Sequence, residues 1–253
     1  MTTSTPLLQV ESLQVAYDEL VVVQDISFTV EPGAVVALLG PNGAGKSTTM
    51  TAIAGGLRPL RGRIRYAGAD LVGRKPEQIA ALGISFVPEG RHVFASLSVK
   101  ENLMVGAYMR HDDGPLSQRL DRIYHYFPRL KERWQSPAGQ LSGGEQQMLV
   151  IGRALMTQPK LMMIDEPSLG LGPRIVDQVY EILLELRRAQ GLTLLVNEQS
   201  SQRALRHSDR ICVLRNGSIQ LQDAAERLRD GVAIQRAYFG FDMPVPEGRA
   251  VPP

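Results

Sequence analysis

The chain has 253 residues, 43% of them hydrophobic, with 28 basic and 26 acidic side chains. This length and apolar content suffice for one large domain or two small lobes and exclude a disordered protein. The nearly balanced charge gives no argument for nucleic acid as the main partner, and the arginines at residues 58, 61, 63 and 65 are better explained as a solvated face.

The cysteine content and the lengths of the apolar runs indicate the cellular compartment of the protein. The single cysteine, Cys212, excludes an internal disulfide, and its place in an apolar run predicts packing rather than chemistry. The first six residues carry no secretory signal, and no stretch approaches the roughly 18 apolar residues of a membrane span. We therefore expect a cytoplasmic protein, which can still dock on a membrane protein.

The N-terminal segment predicts an antiparallel β-meander, with strands at residues 7–17, 21–23 and 26–30. Tyr17 ends the first strand. Taken alone it is a half-buried strand tyrosine, whereas beside a nucleotide it is a platform on which adenine can stack.

A buried strand at residues 35–39 leads into a glycine-rich segment, and a helix is predicted from residue 46 to residue 57. The segment fits the phosphate-binding loop G-x-x-x-x-G-K-[ST], although a chance lysine in a glycine-rich turn is the alternative. Such a turn aims backbone N–H groups and the positive end of a helix at a polyphosphate. The residues expected to contact the nucleotide are Asn42, Gly43, Ala44, Gly45, Lys46, Ser47 and Thr48.

Three of these side chains have separate expected roles. Lys46 reaches the β- and γ-phosphates, the Ser47 hydroxyl ligates Mg²⁺, and Thr48 donates to the α-phosphate. A nucleoside triphosphate and Mg²⁺ are therefore the predicted ligands of this loop.

The next segments predict a strand with a turn at residues 62–68, a helix at 76–82, a strand at 84–87 and a loop at 88–94. Ser98 and Glu101 have capping-box spacing, which predicts a helix to about residue 109, followed by a turn at 111–115 and a helix at 116–127. No strand signal occurs between about residues 90 and 157, so we predict a helical lobe inserted into an α/β core.

Residues 141–147, Leu-Ser-Gly-Gly-Glu-Gln-Gln, begin a helix predicted to reach Met156. Ser142 and Glu145 again have capping-box spacing, which is the purely structural interpretation. It accounts for those two residues but not for the paired Gly143 and Gly144.

A buried strand at residues 160–165 ends in two adjacent acids, Asp165 and Glu166. Ligands bind at the carboxyl ends of such strands, and two acids there are costly without a cation. Asp165 is expected to hold Mg²⁺ beside Ser47, and Glu166 to polarise the attacking water. The alternative is a solvated acidic turn.

The remaining sequence predicts a helix at residues 173–190, a strand at 192–196 and another helix after residue 200. A β-hairpin around Asn216-Gly217 and two short helices up to Tyr238 follow. Residues 241–253 contain four prolines and predict a loose tail.

Four motifs in this order resemble the ATP-binding subunit of an ABC transporter. They are the phosphate loop and residues 141–145, 162–166 and 168–171. The resemblance implies a phosphate-loop ATPase core with an N-terminal antiparallel β-subdomain and an inserted α-helical subdomain. The implied single domain covers residues 1–240, with the core at 1–88 and 158–240 and the helical lobe at 89–157.

The resemblance also implies that two such subunits sandwich two ATP molecules head to tail. Ser142, Gly143 and Gly144 then contact the γ-phosphate bound by the other chain. A serine hydroxyl and glycine N–H groups at a helix start suit this task, because they form a second anion cradle.

Three positions depart from the common superfamily pattern. Glu89 stands where glutamine is usual, and it can offer an oxygen to Mg²⁺ or to the water. Gln199 stands where histidine is usual; its amide can donate to the γ-phosphate but cannot carry a proton charge. Together with Glu166 these two are the candidate catalytic side chains. Glu145 is a frequent variant, and His207 is predicted on the following helix.

The segments Val-Pro-Glu-Gly-Arg at 87–91, Glu198-Gln199 and Tyr-Phe-Gly at 238–240 resemble the ATPases of uptake systems for branched-chain amino acids and related amides or urea. The resemblance implies two integral-membrane permeases, a second ATPase subunit in a hetero- or homodimer, and a periplasmic binding protein. The chain would then be peripheral on the inner face of the plasma membrane. Val93 and Phe94 are expected in the permease-docking groove, unless this loop folds its aromatic ring into its own domain.

Two other functions remain open at this stage. One is a soluble ABC ATPase associated with ribosomes or DNA, although such chains usually carry two ATPase units or a long coiled coil. The other is a weakly hydrolysing ATP-binding switch, suggested by Glu89 and Gln199.

Overall fold

The computed structural model describes residues 5–108 and 115–240. The predicted tail at 241–253, the predicted helix end at residue 109 and most of the turn predicted at 111–115 lie outside these residues. No helix of the two described ranges is long and apolar enough to cross a membrane.

Ten strands form one mixed sheet in the described residues. They are β1 Leu8–Tyr17, β2 Leu20–Val30, β3 Val35–Leu39, β4 Arg61–Tyr66, β5 Ala69–Asp70, β6 Ile84–Val87, β7 Leu161–Asp165, β8 Thr193–Glu198, β9 Arg210–Arg215 and β10 Ser218–Ala224. Their order across the sheet is β5-β4-β1-β2-β10-β9-β3-β8-β7-β6.

Nine α-helices connect or cover these strands in the part of the chain that is described. They are α1 Lys46–Ile53, α2 Pro76–Ala81, α3 Val99–Ala107, α4 Leu116–Tyr126, α5 Pro128–Glu132, α6 Gly143–Leu155, α7 Pro173–Gln190, α8 Ser201–His207 and α9 Val232–Phe239. Short 3₁₀ turns lie at Ala138–Gln140 and Ala225–Leu228.

The central strand, β3, explains where the site forms. All five of its residues are buried, as expected for an apolar run covered on both faces. It pairs in parallel with β8 on one side and β9 on the other, and β7 pairs in parallel with β8. The carboxyl ends of β3, β7 and β8 therefore meet at one edge of the sheet.

The antiparallel part of the sheet lies to one side of this parallel block. β1 pairs antiparallel with both β2 and β4, and β2 reaches the block through one parallel bridge to β10. The predicted α/β class, with a phosphate-loop core and an N-terminal antiparallel β-subdomain, is confirmed by this arrangement.

Between β6 and β7 the described residues contain helices but no strand of the sheet. α3 packs closely on α6, because a Cβ at Gly106 would overlap the Arg153 carbonyl oxygen. The absence of strands here agrees with the predicted helical lobe, whereas the exact division of the chain into subdomains stays a prediction.

Several predicted boundaries were wrong. α1 ends at Ile53 rather than residue 57, because Gly55 turns the chain with φ +79°. β2 is one strand rather than two: its exposed Gln24 and Asp25 lie at a register shift against β1, which absorbs the break in alternation. α5 was not predicted.

The region around the hairpin follows the predictions closely. β9 and β10 pair antiparallel across Asn216 and Gly217, which both have positive φ. Cys212 lies in β9 and is fully buried, and burial raises the pKa of its thiol to about 12. The predicted packing role of Cys212 is therefore confirmed.

Candidate functional site

The glycine-rich loop after β3 delivers the start of α1 to the edge of the sheet. Gly45 is the N-cap of α1 with φ 98°, and no side chain caps this helix start. The first N–H groups of a helix have no partner within the helix, so they remain available to an anion. Gly40 must be glycine, because a Cβ there would overlap the Leu214 carbonyl oxygen of β9.

Lys46 lies inside this loop rather than in solvent. It is 5% exposed, and its Nζ donates to the carbonyl oxygens of Gly40 and Pro41 at 2.8 and 2.9 Å. Burial lowers the pKa of Lys46, and the charges of Glu166, Asp165 and Glu89 oppose that shift. The ammonium is therefore near all three predicted carboxylates.

Two of the three predicted magnesium ligands, Ser47 and Asp165, are joined by a residue that the sequence did not single out. Asn197, in β8, donates from Nδ2 to the Asp165 carboxylate and, at 3.4 Å, to the Ser47 hydroxyl. Asp165 and Asn197 are 3% and 1% exposed, so this contact is inside the protein. The only sequence signal was a polar residue directly after the apolar strand predicted at residues 192–196.

These residues fit a magnesium ion. The Asn197 Oδ1, beside Ser47 and Asp165, is buried and has no hydrogen-bond partner within the described ranges, which leaves an oxygen acceptor unsatisfied at this place. Hydroxyl and carboxylate oxygens are the ligands that Mg²⁺ takes in proteins. No cluster of three or more His, Cys, Asp or Glu side chains suited to a metal occurs in the described residues. Mg²⁺ usually keeps several water ligands and is held by one or two carboxylates together with substrate phosphates, so Ser47 and Asp165 need supply only part of its ligand set.

Glu166 follows β7 in a left-handed conformation, with φ 50°, which is uncommon for a residue with a side chain. Its carboxylate accepts two hydrogen bonds from the Gln199 Nε2, at 2.6 and 2.7 Å. The same amide lies 3.3 Å from the Asn42 Oδ1 of the phosphate loop. The structure thus brings Glu166 and Gln199 together, although they are 33 residues apart.

Burial raises the pKa of Glu166, the Gln199 hydrogen bond opposes that rise, and the charge of Glu89 adds to it. A carboxylate with a raised pKa is a stronger base than an ordinary one. Glu89 therefore lies close enough to Glu166 and Lys46 to act on both by charge, as its predicted place in the site requires.

Tyr17 ends β1 and is 48% exposed. It pairs with Leu20 of β2. Further along β2, the Val22 carbonyl oxygen would lie 3.2 Å from a Cβ at Gly45. Tyr17 is thus a short distance along β2 from the phosphate loop, and its role with adenine stays a prediction.

The signature segment forms a second helix start, on α6. Ser142 is the exposed N-cap: its hydroxyl accepts from the Glu145 N–H at 3.3 Å, and its own N–H donates to the Glu145 carboxylate at 2.8 Å. The predicted capping box is therefore confirmed. In the described residues no hydrogen bond or ion pair joins Ser142, Gly143 or Gly144 to the phosphate loop.

The paired glycines have neighbours that explain their size. A Cβ at Gly143 would lie 2.5 Å from the Arg91 guanidinium carbon, and one at Gly144 would lie 3.0 Å from Ile175. Arg91 also donates to the Gly170 carbonyl oxygen at 3.2 Å. Arg91 thus links the loop after β6 to the signature and to the loop after β7, a role that its sequence position alone did not indicate.

A groove of about 320 Å³ lies beside this loop, lined by residues of β6, α3 and α6 together with Phe94. Phe94 is 47% exposed, and the Arg153 guanidinium lies 4.9 Å from its ring centre. Val93 packs against the apolar core. The loop therefore partly buries Val93 and leaves about half of Phe94 on the surface.

Comparison with known proteins gives a consistent result. Residues 23–169 match the ABC transporter family. The chain is 44% identical to the high-affinity branched-chain amino acid transport ATP-binding protein BraG of Pseudomonas aeruginosa, over 92% of this chain and 100% of that protein. It is 33% identical to the probable branched-chain amino acid transport ATP-binding protein LivF of Archaeoglobus fulgidus, over 93% and 99%.

A solved structure agrees with these relatives. The ADP conformation of MJ1267, an ATP-binding cassette of an ABC transporter, superimposes with a TM-score of 0.82 at 27% identity. The alignment covers 91% of this chain and 95% of that one.

Proposed function

This chain belongs to the ABC transporter family as an ATP-binding subunit with ATPase activity, and on that basis we propose how its residues bind and hydrolyse ATP. The observation that carries the proposal is the meeting of Lys46, Ser47, Asp165, Glu166 and Gln199 where β3, β7 and β8 end.

The phosphate loop binds the triphosphate. The N–H groups at the start of α1 and the Lys46 ammonium face the same point, where they offset the charge of the β- and γ-phosphates. Gly43, Ala44 and Gly45 keep the loop backbone close to the phosphates, and Thr48 adds a hydroxyl. Tyr17 and Asn42 contact the rest of the nucleotide.

Ser47 and Asp165 hold the magnesium ion, with Glu89 as a further oxygen ligand. A magnesium ion held there would supply positive charge against the phosphates during phosphoryl transfer. Asn197 holds the Ser47 and Asp165 side chains in place relative to each other, because it is hydrogen-bonded to both.

Glu166 accepts a proton from the attacking water. Its raised pKa suits this task, because a general base works best when its pKa approaches the working pH. Gln199 orients Glu166 and donates to the γ-phosphate oxygen.

The site is completed by a second ATPase subunit. Ser142, Gly143 and Gly144 form an exposed helix start that can bind the γ-phosphate held by the other chain. Either a second copy or a different ATPase chain can supply the matching half.

The cargo and the membrane partners follow from the relatives. We propose that the chain powers import of branched-chain amino acids or related small amides, as the names of BraG and LivF indicate for those proteins. Two integral-membrane permeases then dock at the groove beside Phe94, on the inner face of the membrane, and a periplasmic binding protein delivers the cargo.

A variant of Glu166 tests this assignment. Glu166→Gln should keep ATP binding, favour a closed dimer and lower turnover by about 10²–10⁴-fold, the range attributed to general bases. Glu185→Gln, on the exposed face of α7, is the matched control and should hydrolyse ATP like the wild type. Unchanged hydrolysis in the Glu166 variant would contradict the role of this base.

Uptake tests the cargo separately. Cells that lack this chain should lose high-affinity uptake of labelled leucine and regain it with the wild-type chain but not with the Glu166 variant. Uptake that persists without the chain would contradict the proposed cargo and leave the ATPase assignment intact.

A further inference from the structure

Glu198 is a buried carboxylate next to the site. It is the last residue of β8, it directly precedes Gln199, and its side chain is 1% exposed. A buried carboxylate is costly unless charge and hydrogen bonds compensate it. Its contacts should therefore reveal why a charge is placed there.

Four groups from three separate segments surround this carboxylate. The Tyr180 hydroxyl of α7 donates to Oε1 at 2.5 Å. Arg203 of α8 donates to Oε2 at 3.2 Å, and the Ser200 N–H donates to the same oxygen at 3.4 Å. The Ser168 hydroxyl, in the loop after β7, donates to Oε2 at 3.5 Å.

Arg203 closes the network by donating to the Ser168 hydroxyl oxygen at 3.0 Å. Arg203 therefore neutralises Glu198 and also holds Ser168. Burial and the charge of Glu198 raise the pKa of Tyr180 well above its usual value, so the phenol remains a hydrogen-bond donor. Every oxygen of the carboxylate thus has a partner.

The positions of these partners point to a task. Ser168 is two residues after Glu166, and Gln199 is the next residue after Glu198. The network therefore holds both segments whose side chains meet in the contacts of 2.6 and 2.7 Å between Gln199 and Glu166. An apolar residue at position 198 would fill the space without joining these two segments.

We propose that Glu198 is a positioning residue that fixes the Gln199 amide against the Glu166 carboxylate, acting through Arg203 and Ser168. The functional part of this inference rests on the proposed role of Glu166. The structural part, the joining of the two loops, does not depend on that role.

Amide hydrogen exchange of the full, nucleotide-free chain tests the structural part. Glu198→Gln removes the charge that pairs with Arg203 and replaces one of the two acceptor oxygens by a donor, so exchange in residues 166–172 and 199–203 should become about tenfold faster. Asp209→Asn is the matched control, because Asp209 also pairs with an arginine, Arg187, and accepts a backbone N–H, but at the far end of β3. Unchanged exchange in the two segments, or an equal change in the control, would overturn the proposal.

Turnover of the transporter purified with this chain tests the functional part. Glu198→Gln should lower kcat about tenfold with KM for ATP within about twofold, because the phosphate loop is untouched. Ser168→Ala removes only the link to the loop after β7 and should lower kcat about threefold, which keeps the test valid if Glu198→Gln does not fold. A kcat loss equal to that of Asp209→Asn would overturn the proposal, whereas absence of wild-type hydrolysis would contradict the proposed function instead.

Discussion

Two helix starts carry the anion-binding motifs of this chain, and they differ in what surrounds them. α1 begins at Gly45 without a side-chain cap, and the buried Lys46 lies among carboxylates from two other loops. α6 begins at the exposed Ser142, which is capped by its own Glu145. The first start therefore combines open N–H groups with a buried cation, whereas the second is a capped helix end exposed to solvent.

The contrast agrees with the proposal that one chain holds only part of a working site. The α1 start has open N–H groups, a buried ammonium and nearby carboxylates from its own sheet. The α6 start offers a hydroxyl and N–H groups, with the Arg91 guanidinium beside Gly143. This arrangement agrees with the proposal that the α6 start binds a phosphate held by another subunit.

Adding a methyl group at each helix start should give the largest difference in ATP affinity between the two regions. Gly45→Ala places a Cβ at φ 98° and 3.0 Å from Val23, so the loop must distort and ATP affinity should fall by about 100-fold or more. Gly144→Ala meets only the flexible Ile175 side chain, and ATP affinity of the isolated chain should stay within about twofold. Calorimetric titration of both variants checks this, and equal losses would remove the distinction between the two starts.

The packing that supports α6 can be weakened separately. Gly106→Ala forces α3 away from α6 and should lower the free energy of unfolding by about 1–3 kcal/mol without changing ATP affinity. Gly172→Ala is the control, since nothing lies within 4 Å of the new Cβ. Denaturant unfolding gives the values; a loss of ATP binding in the Gly106 variant would show that the two regions are not independent.

The sheet beneath α1 gives a pH-dependent prediction. Cys212 has a pKa of about 12 in the folded chain and about 8.5 when unfolded. Between these values the unfolded state loses a proton that the folded state keeps, so Cys212 should cost about 1.4 kcal/mol of stability per pH unit. Denaturant unfolding at pH 8, 9 and 10 should therefore show wild type losing stability faster than Cys212→Ala. Parallel pH curves would contradict the burial of this thiol.

The smallest expected change concerns Gln199. Its amide already donates to Glu166, so Gln199→His should alter turnover by only about threefold. The variant should also gain a pH dependence near the ordinary histidine pKa of about 6.5, which an amide cannot have. Steady-state rates from pH 5.5 to 8 check both points. A large gain in rate would instead favour a weakly hydrolysing wild-type protein.

Local motifs made much of the fold and site predictable. β3, the glycine loop and the start of α1 are adjacent in sequence, and Asp165 and Glu166 end a strongly apolar strand. Such signals lie within one short segment, so they can be recognised without knowing which other segments pack against it.

Other features depend on contacts between distant segments, and the sequence did not indicate them. β8 was predicted to end at residue 196, yet it continues through Asn197 and Glu198, because β3 and β7 pair with it on both sides. The roles of these two polar residues follow from Ser47, Asp165 and Ser168, which are at least 30 residues away. Arg91 likewise reaches Gly170 across 79 residues.

The affinity of the isolated chain for ATP tests directly which of the two helix starts binds the nucleotide of its own chain. Lys46→Ala should weaken ATP binding by about 100-fold, because it removes the buried cation of the phosphate loop. Ser142→Ala should leave the Kd within about twofold, although loss of the cap costs about 1 kcal/mol of stability. A Ser142 variant that binds ATP as weakly as the Lys46 variant would contradict the assignment of the signature to the nucleotide of another subunit.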